Sequence, residues 1–255
     1  MANTITSPQV KPSKAPAIIV AAICIIFALW SALWFWSAVL TVRPEAVITQ
    51  WQQSADQNKE AIEPVLALKM IARLKQSIAI NPLDANSHLL MAKYYQMLAS
   101  THPETSPSTN ANVNTNQYTA LAEQAYKKAI KHQPSWDYAW SELANFYSNQ
   151  QPLNETKLIT ALSNAMILGP YESKSQQILI PLIFKHWPLI TNNKQSKSQA
   201  QATKIIKHAL KYSNALLTLN SAKKNQQLTT LAPLLTKQWH KNFAKKYLKE
   251  AANDK

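Results

Sequence analysis

The sequence predicts an all-α protein: a single N-terminal transmembrane helix followed by a helical-hairpin solenoid. Three observations carry this. A stretch of 28 residues between Lys14 and Arg43 has no charge. The chain holds one glycine, Gly169, directly before Pro170, an arrangement that ends a helix. A spacing of small, aromatic and proline positions recurs between Pro82 and Pro170.

Taken in order, residues 1–14 form a short N-terminus and residues 15–42 a transmembrane helix. About 20 apolar residues suffice to cross the hydrocarbon layer, because a helix satisfies every backbone amide internally. A cleavable signal peptide shares the basic start. Its apolar run is only about 7–15 residues, and residues 37–42 offer no clean small-x-small site. Trp30, Trp34, Phe35 and Trp36 gather toward the far end as an interfacial belt would. Lys11 and Lys14 before the helix favour the N-terminus inside and the C-terminal part outside. In a Gram-negative bacterium that means a single-pass protein of the inner membrane, with residues 43–255 in the periplasm. Cys24 lies within the span, so the folded part has no disulfide.

Helices are expected over residues 44–56, 61–80, 85–99, 118–132, 136–149, 154–168, 171–186, 199–219 and 226–251. Ala122, Tyr126 and Ala129 precede Pro134; Trp140, Leu143, Ala144 and Tyr147 follow it. Close approach of two helices needs such short side chains at the contact. The phase recurs as Met91, Ala92 and Tyr95 after Pro82, and as Leu162 and Ala165 before Pro170. This resembles the tetratricopeptide (TPR) pattern, whose unit is about 34 residues. The interval from Pro134 to Pro170 is 36 residues and that from Pro82 to Pro134 is 52, so the latter contains an insertion. Residues 100–117, with two prolines and Val113 as the one large apolar residue, are expected to be a flexible insertion. Farther on, Ile205, Ile206, Ala209, Leu210 and Ser213 have the spacing of one buried helix face.

Chemistry is thin. Phosphate-cradling loops need several glycines. The six histidines stand singly, with no HExxH, and no metal or cofactor is expected. Asp137 and Glu142, five residues apart, do not share a helical face, and Ser141 and Ser163 have no base nearby in sequence. The chain therefore reads as a binding scaffold with no catalytic residues. Its charge of +14 is concentrated at the C-terminal end, where residues 173–255 carry 15 lysines against two acids, a surplus of 13. Such a field attracts polyanions. Nucleic acid is the weakest candidate, because that region has no arginine for bidentate recognition.

Residues 133–187 contain QPSWDYAWSELANFYSNQ, then ALSNAMILGPYE, then a helix ending in KHW. These segments, with the anchor, resemble the VpsP-type family of bacterial polysaccharide-biosynthesis proteins. Tyr171 stands where the family pattern has tryptophan, and the insertion departs from its more compact spacing. The resemblance implies the inner membrane, a TPR-like periplasmic region, and partners in surface-polysaccharide (exopolysaccharide or O-antigen) biosynthesis or export. No catalytic residue is carried over. Pro134, Trp136, Trp140 and Gly169, the matched positions, read as packing and turn residues.

In helical-hairpin arrays the first helix of each pair lines a groove. That rule makes Leu89, Lys93, Gln96, Tyr138, Ser141, Asn145 and Ser148 the candidate partner groove. Lys241, Lys245, Lys246 and Lys249 are the candidate anion-binding set, for anionic glycan or lipid. They share a helix with Trp239, Phe243, Tyr247 and Leu248, for which capping the array is the plainer role. A periplasmic chaperone or assembly factor tied to the secretion translocon or cytochrome maturation fits the same anchor and repeats.

Overall fold

A computed structural model of the chain describes residues 15–55, 63–101, 115–192, 196–212 and 214–253. Among the described residues every regular element is a helix. The N-terminus 1–14 and the core of the expected insertion, 102–114, lie outside them.

Helix α1 (Ala15–Ala55) has two parts in one rod. Residues 18–36 are exposed throughout. Ser37, Leu40, Thr41, Pro44 and Ile48 are then buried at i, i+3 and i+4 spacing, the mark of a helix with one packed face. At 1.5 Å per residue the exposed run spans about 28 Å, close to the ~30 Å of a bilayer's hydrocarbon core. This helix is the one among the described residues that is long and apolar enough to cross a membrane. A new helix was expected to begin at Pro44 after a break at residue 42. The rod instead continues through Pro44, whose carbonyl accepts a hydrogen bond from Tyr94 Oη at 2.7 Å. Packing against the rest of the molecule holds the proline inside the helix.

Antiparallel neighbours follow. Helix α2 (Pro64–Ile80) starts with proline at a position where its missing N–H costs nothing, and buries Ala67, Met70, Ile71, Leu74 and Ser77. It packs on α1, tied at the far end by Ser37 Oγ to Ser77 Oγ at 2.8 Å. Helix α3 (Ala85–Thr101) is started by Asp84, whose carboxylate accepts from the backbone N–H groups of Asn86 and Ser87. It pairs with α4 (Thr115–His132), and α5 (Asp137–Ser148) pairs with α6 (Glu155–Leu168). Asn154 caps α6 by accepting from Lys157 N at 3.0 Å. Ala122, Tyr126, Ala129, Ala144, Leu162 and Ala165 are all fully buried at these contacts, so the spacing read from the sequence falls on the core.

Beyond α7 (Ser173–Lys185) the elements shorten to α8 (Trp187–Asn192), α9 (Ser196–Lys211), α10 (Ala215–Lys224), α11 (Leu228–Leu231), a 3-10 turn (Ala232–Leu234) and α12 (Gln238–Asn253). Helix α7 packs against α5 and α10, and α9 against α6 and α7. The single helix expected over 199–219 divides around Tyr212–Asn214, because Asn214 turns inward to Gln176 (2.9 Å). The one expected over 226–251 divides after α11, where Pro233, lacking the N–H that an α-helix would bond, sits in the 3-10 turn. Ile205, Ile206, Ala209 and Leu210 are buried as expected, while Ser213 lies outside the described residues.

Gly169 follows the end of α6, as the sequence predicts. Its φ is −130°, so it is not a left-handed cap. The reason for glycine is space, since a Cβ there would stand 2.0 Å from Asp137 Oδ2.

Candidate functional site

A cleft of about 670 Å³ is lined by the end of α1, by α3, α4 and α5, and by the turn after α5. Trp51 and Gln52 of α1 form one wall, Gln96 and Met97 of α3 another, and Thr119 of α4 closes one side. Asn145 and Asn149 of α5 continue into Gln150, Gln151 and Pro152 of the following turn. The polar lining is mostly carboxamide, a group that donates and accepts at once.

The floor is charged and internally neutralised. Lys93 Nζ pairs with Glu142 Oε1 at 2.5 Å, with both side chains under a tenth exposed. The same ammonium donates to Tyr138 Oη at 2.7 Å and stands 4.7 Å from that ring's centre. Burial, then the Glu142 charge, raises the Tyr138 phenol's pKa far above its ordinary 10, so it stays a neutral partner. Tyr126 Oη donates to Gln96 Oε1 at 2.7 Å, and burial likewise raises its pKa.

This arrangement revises the groove read from the sequence. Leu89, Lys93, Ser141 and Ser148 are buried, not displayed to a partner. Leu89 belongs to the core, and Ser141 Oγ donates to the carbonyl of Asp137 at 2.9 Å. Ser148 Oγ meets His186 Nε2 at 2.7 Å and accepts from Lys185 Nζ at 3.0 Å, joining α5 to α7. Burial lowers the pKa of His186, so the serine faces a neutral imidazole within a closed contact. Gln96 and Asn145 do line the cleft, and Tyr138 is half-buried beside it. Two features drew the cleft away from the expected surface. α1 packs on α3, where Tyr94 reaches the Pro44 carbonyl, and the charged pair turned inward.

Sequence reasoning missed Trp51, Gln52, Gln150 and Gln151. Their signal was compositional, two glutamine pairs beside a tryptophan and a proline, and nothing in the spacing joined residue 51 to residue 151. Only the crossing of α1 over α3 does so.

A second cluster holds helices together. Glu123 of α4 receives Lys127 (2.7 Å), Lys157 of α6 (2.8 Å) and Tyr147 Oη of α5 (3.0 Å). Burial opposes its ionisation, but the hydrogen bonds from Lys127, Lys157 and Tyr147 outweigh it and hold its pKa at about 2.

Of the anion-binding candidates, Lys241, Lys245 and Lys246 are exposed, and the Lys249 side chain lies outside those described. Lys246 Nζ is 5.5 Å from the Tyr247 ring centre and Lys223 Nζ of α10 is 3.4 Å from it, so part of the charge is engaged locally. Among the described residues no three His, Cys, Asp or Glu side chains gather as metal ligands. His88 stacks on His132 at 5.2 Å, a contact that bridges α3 and α4.

These features define a class: an all-helical protein with one helix long and apolar enough to span a bilayer, and a neutral, carboxamide-lined cleft beside the end of that helix. No protein-family model, no curated protein and no solved structure matches the chain.

Proposed function

We propose that the chain is a membrane-anchored interaction scaffold in bacterial surface-polysaccharide biosynthesis or export, a TPR-like solenoid facing the periplasm from the inner membrane. Its cleft holds an extended segment of a partner protein and breaks no bonds. The observation that carries this reading is the cleft's lining. Carboxamides on several helices pair with the alternating N–H and C=O groups of an extended chain, and the Lys93–Glu142 floor presents no net charge. The polysaccharide context rests on the resemblance across residues 133–187 and on the anchor.

The test is crosslinked co-purification from membranes with Asn145→Arg and Gln151→Arg variants. The expected result is loss of the captured partner with far-ultraviolet circular dichroism unchanged. Undiminished capture overturns the cleft. Capture of a secretion or haem-maturation protein, in place of a glycan-assembly protein, overturns the polysaccharide assignment.

A further inference from the structure

The turns of the helical layer alternate between two ends, and one of them is the end from which α1 leaves. A chain of contacts fixes this. Ser37 of α1 meets Ser77 at the end of α2, and Ser77 meets Ser87 at the start of α3. His88 there stacks on His132 at the end of α4. Asp137 at the start of α5 abuts Gly169 after α6 and accepts from Ser175 at the start of α7. Gln176 then reaches His208 near the end of α9 and Asn214 before α10.

That end is the greasy one. Outside α1, ten large apolar side chains are exposed among the described residues, and six of them sit here: Leu83, Ile167, Leu168, Tyr171, Tyr212 and Leu216. Val65, Leu68 and Leu153 lie toward the opposite end, and the tenth, Trp239, stands at the start of α12. A monomer rarely leaves so many apolar tips together without a use for them. Exposed Lys131, Lys174, Lys207 and Lys211 border the tips. Of the acids at this end, Glu172 is exposed, while Asp84 and Asp137 are engaged with Ser87 and Ser175.

We propose that this end of the helical layer lies on the anionic surface of the same bilayer that α1 enters, its apolar tips in the headgroup zone and its lysines on lipid phosphates. The inference rests on the reading of α1 as an anchor. The exposed run of α1 stops at Trp36 and packing starts at Ser37. The bilayer surface therefore falls level with the Ser37–Ser77 contact, where the tips are. Lysines beside apolar and tyrosine side chains match an anionic lipid interface, with amphipathic rings at headgroup depth.

The full chain, in a Cys24→Ser background, carries single fluorescent labels at Phe27→Cys, Leu168→Cys, Tyr212→Cys, Leu68→Cys or Leu153→Cys. It is reconstituted in vesicles holding a headgroup nitroxide quencher, with phosphatidylcholine alone or about 30 % phosphatidylglycerol. The expected result is quenching at 168 and 212 about twofold or more above that at 68 and 153 in the anionic vesicles. It should weaken at about 0.5 M salt and in a Lys174→Glu/Lys211→Glu variant. Equal quenching at the four positions overturns the proposal and leaves a protein as the occupant of this end. A probe at 27 that stays unprotected from an aqueous quencher refutes the anchor separately, whatever 168 and 212 do.

Discussion

Gly169 stands so close to Asp137 that an added Cβ would lie 2.0 Å from Asp137 Oδ2 and 2.5 Å from Asp137 Cβ. The acid is itself held by a hydrogen bond from Ser175 Oγ at 2.5 Å. One carboxylate thus joins the start of α5, the end of α6 and the start of α7.

Gly169→Ala is expected to destabilise the fold by about 1–3 kcal/mol, the usual cost of overpacking. Urea denaturation followed by circular dichroism measures it. Asp137→Ala added to it should recover only part of the loss, because the Asp137 Cβ position remains occupied. Unchanged stability in Gly169→Ala would show that α5 and α6 separate freely at this point.

Lys93→Ala should be severe. It leaves the Glu142 carboxylate buried without its cation, a loss of about 3–5 kcal/mol. Replacing both partners at once, Lys93→Met with Glu142→Leu, removes the stranded charge and is expected to restore most of that stability. A double-mutant cycle in chemical denaturation separates the two outcomes. Equal damage from single and double variants would contradict the ion pair as the cause.

Acid should unfold the protein in two stages. His88, His186 and His240 have pKa values lowered from the ordinary 6.5, with burial the main cause in each. The folded chain keeps them neutral while the unfolded chain takes up protons below 6.5, so stability is complete above that pH and declines beneath it. Glu123, held at about 2 against an ordinary 4.5, adds a second decline from about pH 5 toward 2 as its carboxylate is protonated. Melting temperature against pH shows both. His240→Leu should shrink the first stage while His88 and His186 maintain the rest, since neither ring nitrogen of this fully buried residue has a hydrogen-bond partner. Glu123→Gln should shrink the second. A melting temperature constant from pH 7 to pH 5 would refute the histidine account.

Much of the fold was legible because helix periodicity is local. The buried stripe of α2, the small residues of α4 and α6 and the proline punctuation each declare themselves within a turn or two of chain. The breaks at Tyr212–Asn214 and the persistence of α1 through Pro44 did not. Each depends on a partner far along the chain, Gln176 in the first case and Tyr94 in the second. The candidate groove suffered most. A rule about which helix faces outward placed Lys93 and Ser148 on display, and the ion pair with Glu142 and the contact with His186 drew them inside.

By itself, then, the sequence determined that this chain is helical, that its first long helix is apolar enough to cross a bilayer, and that Ala122, Tyr126, Ala129, Leu162 and Ala165 face the core. Those properties are set by side-chain type at spacings of three and four residues. Tertiary structure alone decided where the cleft lies, why residue 169 is glycine, and which turns share an end with the anchor. Each of these is a distance between segments tens of residues apart, and only packing can set it.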